Sequence, residues 1–316
     1  NNYNLKILPE GLNNYHKVKY IARESNKKGN QKINLQNIKT ASNIIKFIYL
    51  IFSTFKNKNS KYFITSINPY TFISFMFLFL SRKKVFLYLI SSGHEEWKFI
   101  LGSWSVWIYH VMYLIMTSNS TVITLHERLY KGKNSHLVTS SSLDEEWLEN
   151  HKKAKLDKIR FLYVGRANPE KGIHKFLEMF EEIKLNSELS IAGNLEKIEV
   201  SKNKNIRLIG YVADKKSLID IYDDHNILIL PSFTEGQPHV VDESLARRRP
   251  VIIFEDIAHI IKERKGIFVS KRSIHSFSEI SNYVMENYNE IQESIGKNKF
   301  PLKKDTLKQI SNIISS

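Results

Sequence analysis

The chain contains no cysteine. Disulfides and thiolate-bound zinc are therefore excluded, and the composition agrees with a reducing compartment. Glycine is scarce at 12 residues in 316, beside heavy use of lysine and asparagine, as a biased genome would produce. No phosphate-loop pattern G-x-x-x-x-G-K-[ST], no G-x-G-x-x-G and no H-E-x-x-H is present. There is also no D-x-D anywhere, so the sequence offers no such carboxylate pair for a divalent metal. No low-complexity tract points to disorder, and no secretory leader pattern opens the chain at Asn1.

What is present suits two domains of ordinary size. Hydrophobic residues make up 42% of the chain, enough for two cores. The formal net charge is +15, and it is unevenly spread. Residues 1–90 hold 15 Lys and Arg against 2 Asp and Glu, whereas residues 151–316 hold 28 against 23. A basic N-terminal surface attracts phosphates, whether on nucleic acid, an anionic membrane or a charged acceptor. The nucleic-acid option has no reading helix and no aromatic stacking set behind it. Two uncharged stretches, Tyr62–Ser81 and Phe99–His126, are long enough for membrane spans. Asn68-Pro69 breaks the first and a string of polar residues breaks the second. Each is expected to be a buried helix next to a buried strand. The aromatic helix carrying Trp97, Trp104, Trp107 and Tyr109 reads as core, with an interfacial element dipping into lipid as the alternative.

Strand-like and helix-like runs alternate along the chain. In the first half, Lys6–Leu8 is expected to be a strand, followed by a turn at Pro9-Glu10-Gly11, and Asn13–Arg23 a helix. Helix Ser42–Phe55, strand Tyr62–Ser66, helix Tyr70–Leu80 and strand Val85–Ile90 follow. A loop at Ser91–His94, one long helix Trp97–Met116 and strand Thr121–Leu125 complete this half. Charge density rises at Asp144–Lys158, where the domain boundary is expected. The alternation then restarts with strand Arg160–Val164 and helix Gly172–Ile183. Strands Glu188–Ala192 and Ile206–Ile209, helix Lys216–Tyr222, strand Ile227–Leu230, helix Pro238–Ala246 and strand Val251–Phe254 come next. A short strand, Gly266–Val269, and a helical tail end the chain. Two such runs imply two parallel-sheet α/β units, with residues 1–150 and 151–300 as the domains and 301–316 as a tail. Ligands of open parallel sheets sit beyond the carboxyl ends of the strands.

The richest segment is Ile227–Ile253, I-L-I-L-P-S-F-T-E-G-Q-P-H-V-V-D-E-S-L-A-R-R-R-P-V-I-I. A buried strand leads into a loop with Glu235-Gly236, and a helix starts near Pro238, whose fixed φ suits a first turn. The free N–H groups there make an anion or hydroxyl site. Glu243 lies eight residues beyond Glu235, and a carboxylate can accept two hydrogen bonds from a vicinal diol. This segment resembles the E-x7-E donor motif of the family-four retaining glycosyltransferases, the glycosyl transferases group 1. Phe161–Ile173, F-L-Y-V-G-R-A-N-P-E-K-G-I, resembles the same family's first C-domain strand and its G-R-x-x-x-x-K-G loop. Gly193 and Gly210 also fall where the family has them. In the N-terminal half, P-E-G-L-N-N-Y resembles the family's glycine loop and L-I-S-S-G-H its histidine loop.

The resemblance implies a GT-B fold, two Rossmann-like domains facing each other across a cleft. It implies a hexosyltransferase that takes a nucleotide-diphosphate sugar as donor and a glycan or lipid-linked acceptor, with retention and without metal or cofactor, in cell-surface polysaccharide synthesis. Arg166, Lys171 and Gly11 would serve the donor diphosphate and Glu243 its ribose. Gly236, Gln237 and Pro238 would face the sugar, with Glu235 and His94 at the reacting centre. The place of work would be the cytoplasm, on the cytoplasmic membrane face if the basic surface binds lipid. An inactive nucleotide-sugar-binding or regulatory protein on this fold is the alternative. One departure stands out. The family's A-x-G-x-P after the second glutamate is here Ala246-Arg247-Arg248-Arg249-Pro250, with Arg248 in the glycine's place. The three arginines read either as a disturbance of the helix end or as solvated cations there.

Overall fold

The computed structural model describes residues 2–24, 33–195 and 203–316. The chain divides into two compact units, Asn1–Ser140 with Lys303–Ser316, and Ser141–Leu302. The boundary thus falls ten residues before the expected residue 150. The reason is packing, because Leu143 and Trp147 already belong to the second unit's core. The expected separate tail belongs instead to the first unit.

The first unit begins with helix α1 (Asn2–Leu12), where a strand and a glycine turn were expected. Leu8 and Leu12, one helical turn apart, pack on Leu307 and Ile310 of α11 (Lys303–Ser315). The expected helix at 13–23 instead delivers strand β1 (Tyr20–Arg23), paired in parallel with β2 (Ile38–Ala41). Helix α2 (Ile44–Phe52) follows. The main sheet then runs β3 (Tyr62–Ile64), β4 (Val85–Leu89), β5 (Thr121–Thr124) and β6 (Ser135–Leu137), in that spatial order and all parallel. Helix α3 (Pro69–Leu80) starts on a capping box at Asn68 and Thr71, with Pro69 in the first turn. The long helix expected at Trp97–Met116 is two helices, α4 (Gly93–Leu101) and α5 (Ser105–Ser118). Gly102 breaks it with a φ of +92°, a backbone state that a side chain disfavours. Among the described residues, no helix is long and apolar enough to cross a membrane.

The second unit is a six-stranded parallel sheet. Its strands are β7 (Ile159–Val164), β8 (Ser187–Ala192), β9 (Ile206–Gly210), β10 (Ile227–Leu230), β11 (Val251–Phe254) and β12 (Ile267–Ser270). Their order is β12-β11-β10-β7-β8-β9. Helices α6 (Ile173–Glu181), α7 (Lys215–Asp224), α8 (His239–Ala246), α9 (Ile274–Glu286) and α10 (Tyr288–Ile295) complete it. Strands β7, β10 and β11 are nearly all Val, Ile, Leu and Phe, as strands covered on both faces require. Every residue of β10 and β11 is buried. The chain moves outward one way through β7, β8 and β9, then returns to place β10 on the other side of β7. That reversal opens a crevice at the carboxyl ends of β7 and β10, the place where such sheets take ligands.

Candidate donor site in the second unit

The loops leaving β7 and β10 are stitched together. The Phe233 amide donates to the Glu170 carbonyl at 3.0 Å. Between them Gly172 has a φ of +66°, and a Cβ there would stand 2.0 Å from the Pro231 carbonyl oxygen. Only glycine lets the two loops approach so closely. Beside them Gly193, with a φ of +139°, would put a Cβ 1.7 Å from the Gly165 carbonyl oxygen. Arg272 closes the assembly from β12's side, donating to the Pro231 carbonyl at 2.9 Å and the Ser232 carbonyl at 3.1 Å. Its guanidinium lies 4.1 Å from the Phe233 ring centre, a cation–π contact.

This stitching brings together residues 64 positions apart. Lys171 Nζ donates to Glu235 Oε1 at 2.7 Å, and Ser232 Oγ donates to the same oxygen at 2.7 Å. The Glu235 side chain is only 9% exposed, so this ion pair feels less screening than a surface pair. Arg166 sits on the same loop as Lys171, exposed to solvent. Its carbonyl accepts the Tyr163 hydroxyl at 2.7 Å, which ties the loop's backbone to β7. Gly236 and Gln237 are half-buried. Pro238 is buried as the N-cap of α8, so the helix begins at His239.

Glu243, on the second turn of α8, is 8% exposed. Its Oε1 accepts from Ser142 Oγ at 3.1 Å and its Oε2 from the Tyr222 hydroxyl at 2.9 Å. Burial pushes its carboxyl up to about 7, against the opposing pull of those two hydroxyls. A carboxylate has about four acceptor sites, and these two hydroxyls take two of them. Neither Ser142 nor Tyr222 carries a sequence signal. They come from the segment before β7 and from the end of α7.

The arginine triplet is not a set of solvated cations. Arg247 and Arg249 are each 1% exposed. Arg247 makes a two-pronged contact with Asp223 at 2.9 and 2.7 Å and also donates to the carbonyls of Trp147, Glu149 and Asn150. Arg249 donates to the Lys152 and Asp223 carbonyls. The two therefore pin the entry segment of the second unit to the ends of α7 and α8. Arg248 alone is exposed, with a φ of +56°.

In the first unit, Gly11 lies inside α1 rather than in a loop after a strand. A Cβ there would come within 2.3 Å of Leu307, so close helix packing accounts for the glycine. That helical setting contradicts the strand-to-loop turn on which its diphosphate role depended. His94 opens α4 at the carboxyl end of β4. Its Nε2 lies 3.0 Å from His110 Nδ1, so one of the two rings must supply the proton. Burial first, and then His110, holds His94 below the usual histidine range. His110 was not anticipated from sequence.

Residues 144–300 match the family model Glycosyl transferases group 1. The capsular polysaccharide biosynthesis glycosyltransferase CapM of Staphylococcus aureus is 28% identical over 165 residues, 48% of this chain and 42% of CapM. The putative teichuronic acid biosynthesis glycosyltransferase TuaC of Bacillus subtilis is 28% identical over 126 residues, 39% of this chain and 32% of TuaC. The chain thus spans less than half the length of either relative. Among solved structures, Anabaena HepE in complex with UDP-glucose superposes with a TM-score of 0.65, covering 88% of this chain and 85% of HepE at 10% identity. That likeness carries the fold, the GT-B architecture of two parallel-sheet α/β units.

Proposed function

Since residues 144–300 belong to the group 1 glycosyl transferases, we propose that this protein transfers a hexosyl unit from a nucleotide-diphosphate sugar to a glycan or lipid-linked acceptor. The observation that carries the reading is the pairing of Lys171 with Glu235 across the loops that leave β7 and β10, with Glu243 on the second turn of the helix that follows β10. Glu243 offers its remaining acceptor sites to the ribose hydroxyls. Arg166 and Lys171 take the diphosphate, the first as a fork and the second as a point charge. Lys171 exchanges its contact with Glu235 for phosphate oxygen, and the freed Glu235 carboxylate faces the sugar with Gly236, Gln237 and Pro238. His94 is the first unit's candidate for the reacting centre.

In the reaction, the bond from the sugar's anomeric carbon to the phosphate oxygen breaks as the acceptor oxygen bonds to that carbon on the same face. The acceptor proton passes to the departing phosphate. Negative charge grows on the diphosphate, and the two fixed cations oppose it in the transition state. Such a pair performs the neutralising role that a metal has elsewhere, so activity in chelator is expected to persist. The names of CapM and TuaC support cell-surface polysaccharide synthesis as the setting.

The test is a thermal-shift screen with UDP-, GDP- and ADP-sugars, followed by donor hydrolysis or transfer assays. One donor class should raise the unfolding midpoint of the second unit, by about 3 kcal/mol of stability at a hundredfold excess over its Kd. Arg166→Ala should lower turnover by roughly a hundredfold or more, and Glu243→Ala should abolish the shift. A protein that binds donor with no turnover on any acceptor pool would instead be a nucleotide-sugar-binding protein.

A further inference from the structure

The outward side of the first unit's helices is apolar where a solvated helix would be charged. Helices α3 and α5 contain no Asp, Glu, Lys or Arg, and α2 contains only Lys46. They form one layer, α2 against α3 and α3 against α5. A surface helix normally buries one stripe and turns a polar face to water. Here the buried stripes are present, Phe47 and Leu50 in α2, Phe75 and Leu78 in α3. The opposite stripes are equally apolar. Ile45 and Tyr49 in α2, Leu80 in α3, and Ile100, Trp104 and Trp107 at the α4–α5 turn are all exposed. Trp104 is 67% and Trp107 72% accessible. The expectation of a core role for these two tryptophans does not hold, whereas Tyr109 on the same helix is buried. An apolar surface spread over three adjacent helices marks an interaction site.

Charge selects the partner. The first unit holds 22 Lys and Arg against 6 Asp and Glu, and the second holds 25 against 26. The whole excess of the chain therefore resides in the unit that carries the apolar face. The segments after α2 and after α3 meet at one end of the layer, where Lys83 Nζ lies 5.3 Å from the Phe55 ring centre. Those segments carry Lys56, Lys58, Arg82 and Lys84, all exposed. A second copy of the chain would bring two strongly positive units face to face, which Coulomb repulsion opposes. An anionic bilayer meets both features at once. Its headgroups attract the lysine and arginine loops, and its acyl boundary accepts tryptophan and aliphatic side chains.

We propose that the α2–α3–α5 face of the first unit docks on an anionic lipid bilayer, with Trp104 and Trp107 at the acyl boundary and the Lys56–Lys58 and Arg82–Lys84 loops on the lipid phosphates. The inference is independent of the reaction assigned above. It is tested with the full chain and vesicles of phosphatidylcholine, with or without phosphatidylglycerol. Binding is expected only with phosphatidylglycerol, declining as salt rises, with a blue shift of tryptophan emission and protection from an aqueous quencher. Trp104→Ser with Trp107→Ser should weaken binding at least about tenfold and remove the shift. Both side chains are exposed, and an unchanged circular dichroism spectrum and melting point check that the fold is kept. Replacing Lys56, Lys58, Arg82 and Lys84 by Gln should cost about fivefold in affinity per charge removed and flatten the salt dependence. Equal binding to phosphatidylcholine alone would overturn the proposal, as would unaltered binding by the tryptophan variant. So would a concentration-dependent dimer, without lipid, that the tryptophan variant abolishes.

Discussion

Glu243 is the buried acid at which ionisation and stability are most directly coupled, and to which the proposed function assigns the ribose. Its carboxyl is raised to about 7 by burial, above the ordinary glutamate value near 4.5. Between those two values the folded chain keeps a proton that the unfolded chain has released. Stability therefore falls as pH rises through this window and is level above it, by at most about 3 kcal/mol. Glu243→Gln removes the ionisation while keeping the shape. Urea midpoints of the second unit at pH 5 and pH 8 should differ for the wild type more than for the variant. Equal differences would mean that Glu243 is ionised throughout. The spacing of Glu235 and Glu243 was legible as a pattern, as was Lys171. Their hydroxyl partners Ser142, Tyr222 and Ser232 were not, because a hydroxyl becomes a partner only through long-range packing. Gly11 shows the reverse error, a turn signal overruled by helix packing against Leu307.

At the level of elements, the end of α8 shows how a backbone form outlives the residue that suits it. Arg249 N–H bonds to the Ser244 carbonyl at 2.9 Å and Arg248 N–H to the Leu245 carbonyl at 2.9 Å, the paired bonds of a Schellman cap. Arg248 occupies the left-handed position between them, where a Cβ costs about 1–2 kcal/mol. The turn is thus the one the family's glycine would make, held in place by the buried clamp of Arg247, Asp223 and Arg249. The disturbance expected from Arg248 is strain without displacement. Arg248→Gly should raise the stability of the second unit by about 1 kcal/mol, after the glycine's extra freedom in the unfolded chain is discounted. Thermal or urea unfolding checks it, and a lowered midpoint would show that the arginine side chain contributes more than its strained backbone costs. The strands of this unit were legible because they are short apolar runs bounded by turns. In the first unit β1 and β2 were missed, since neither four-residue strand is an apolar run or alternates cleanly.

Over the whole molecule, the last helix belongs to the first unit. Leu307, Ile310 and Ile314 of α11 fill the core around Leu8, Leu12 and Val138. Lys61 Nζ also donates to the Ile314 and Ser315 carbonyls. Leu307→Ala or Ile310→Ala should cost about 2–5 kcal/mol, felt by the first unit although the change lies at the far end of the sequence. Hydrogen exchange should report lost protection in residues 33–140, with residues 141–302 spared. Uniform loss in both units, or loss confined to the second, would contradict this division of the core.

The order of apolar runs and turns determined that this is a parallel α/β protein, and the E-x7-E and G-R-x-x-x-x-K-G patterns marked the segment that matches the group 1 glycosyl transferases. Both are local properties, written in periodicity and in short spacings. Tertiary structure alone decided which unit receives the last helix, which hydroxyls hold Glu243, and that two arginines are buried while two tryptophans stand exposed. Those outcomes depend on what a side chain meets across the fold, and no local pattern records the neighbour before the chain has closed upon it.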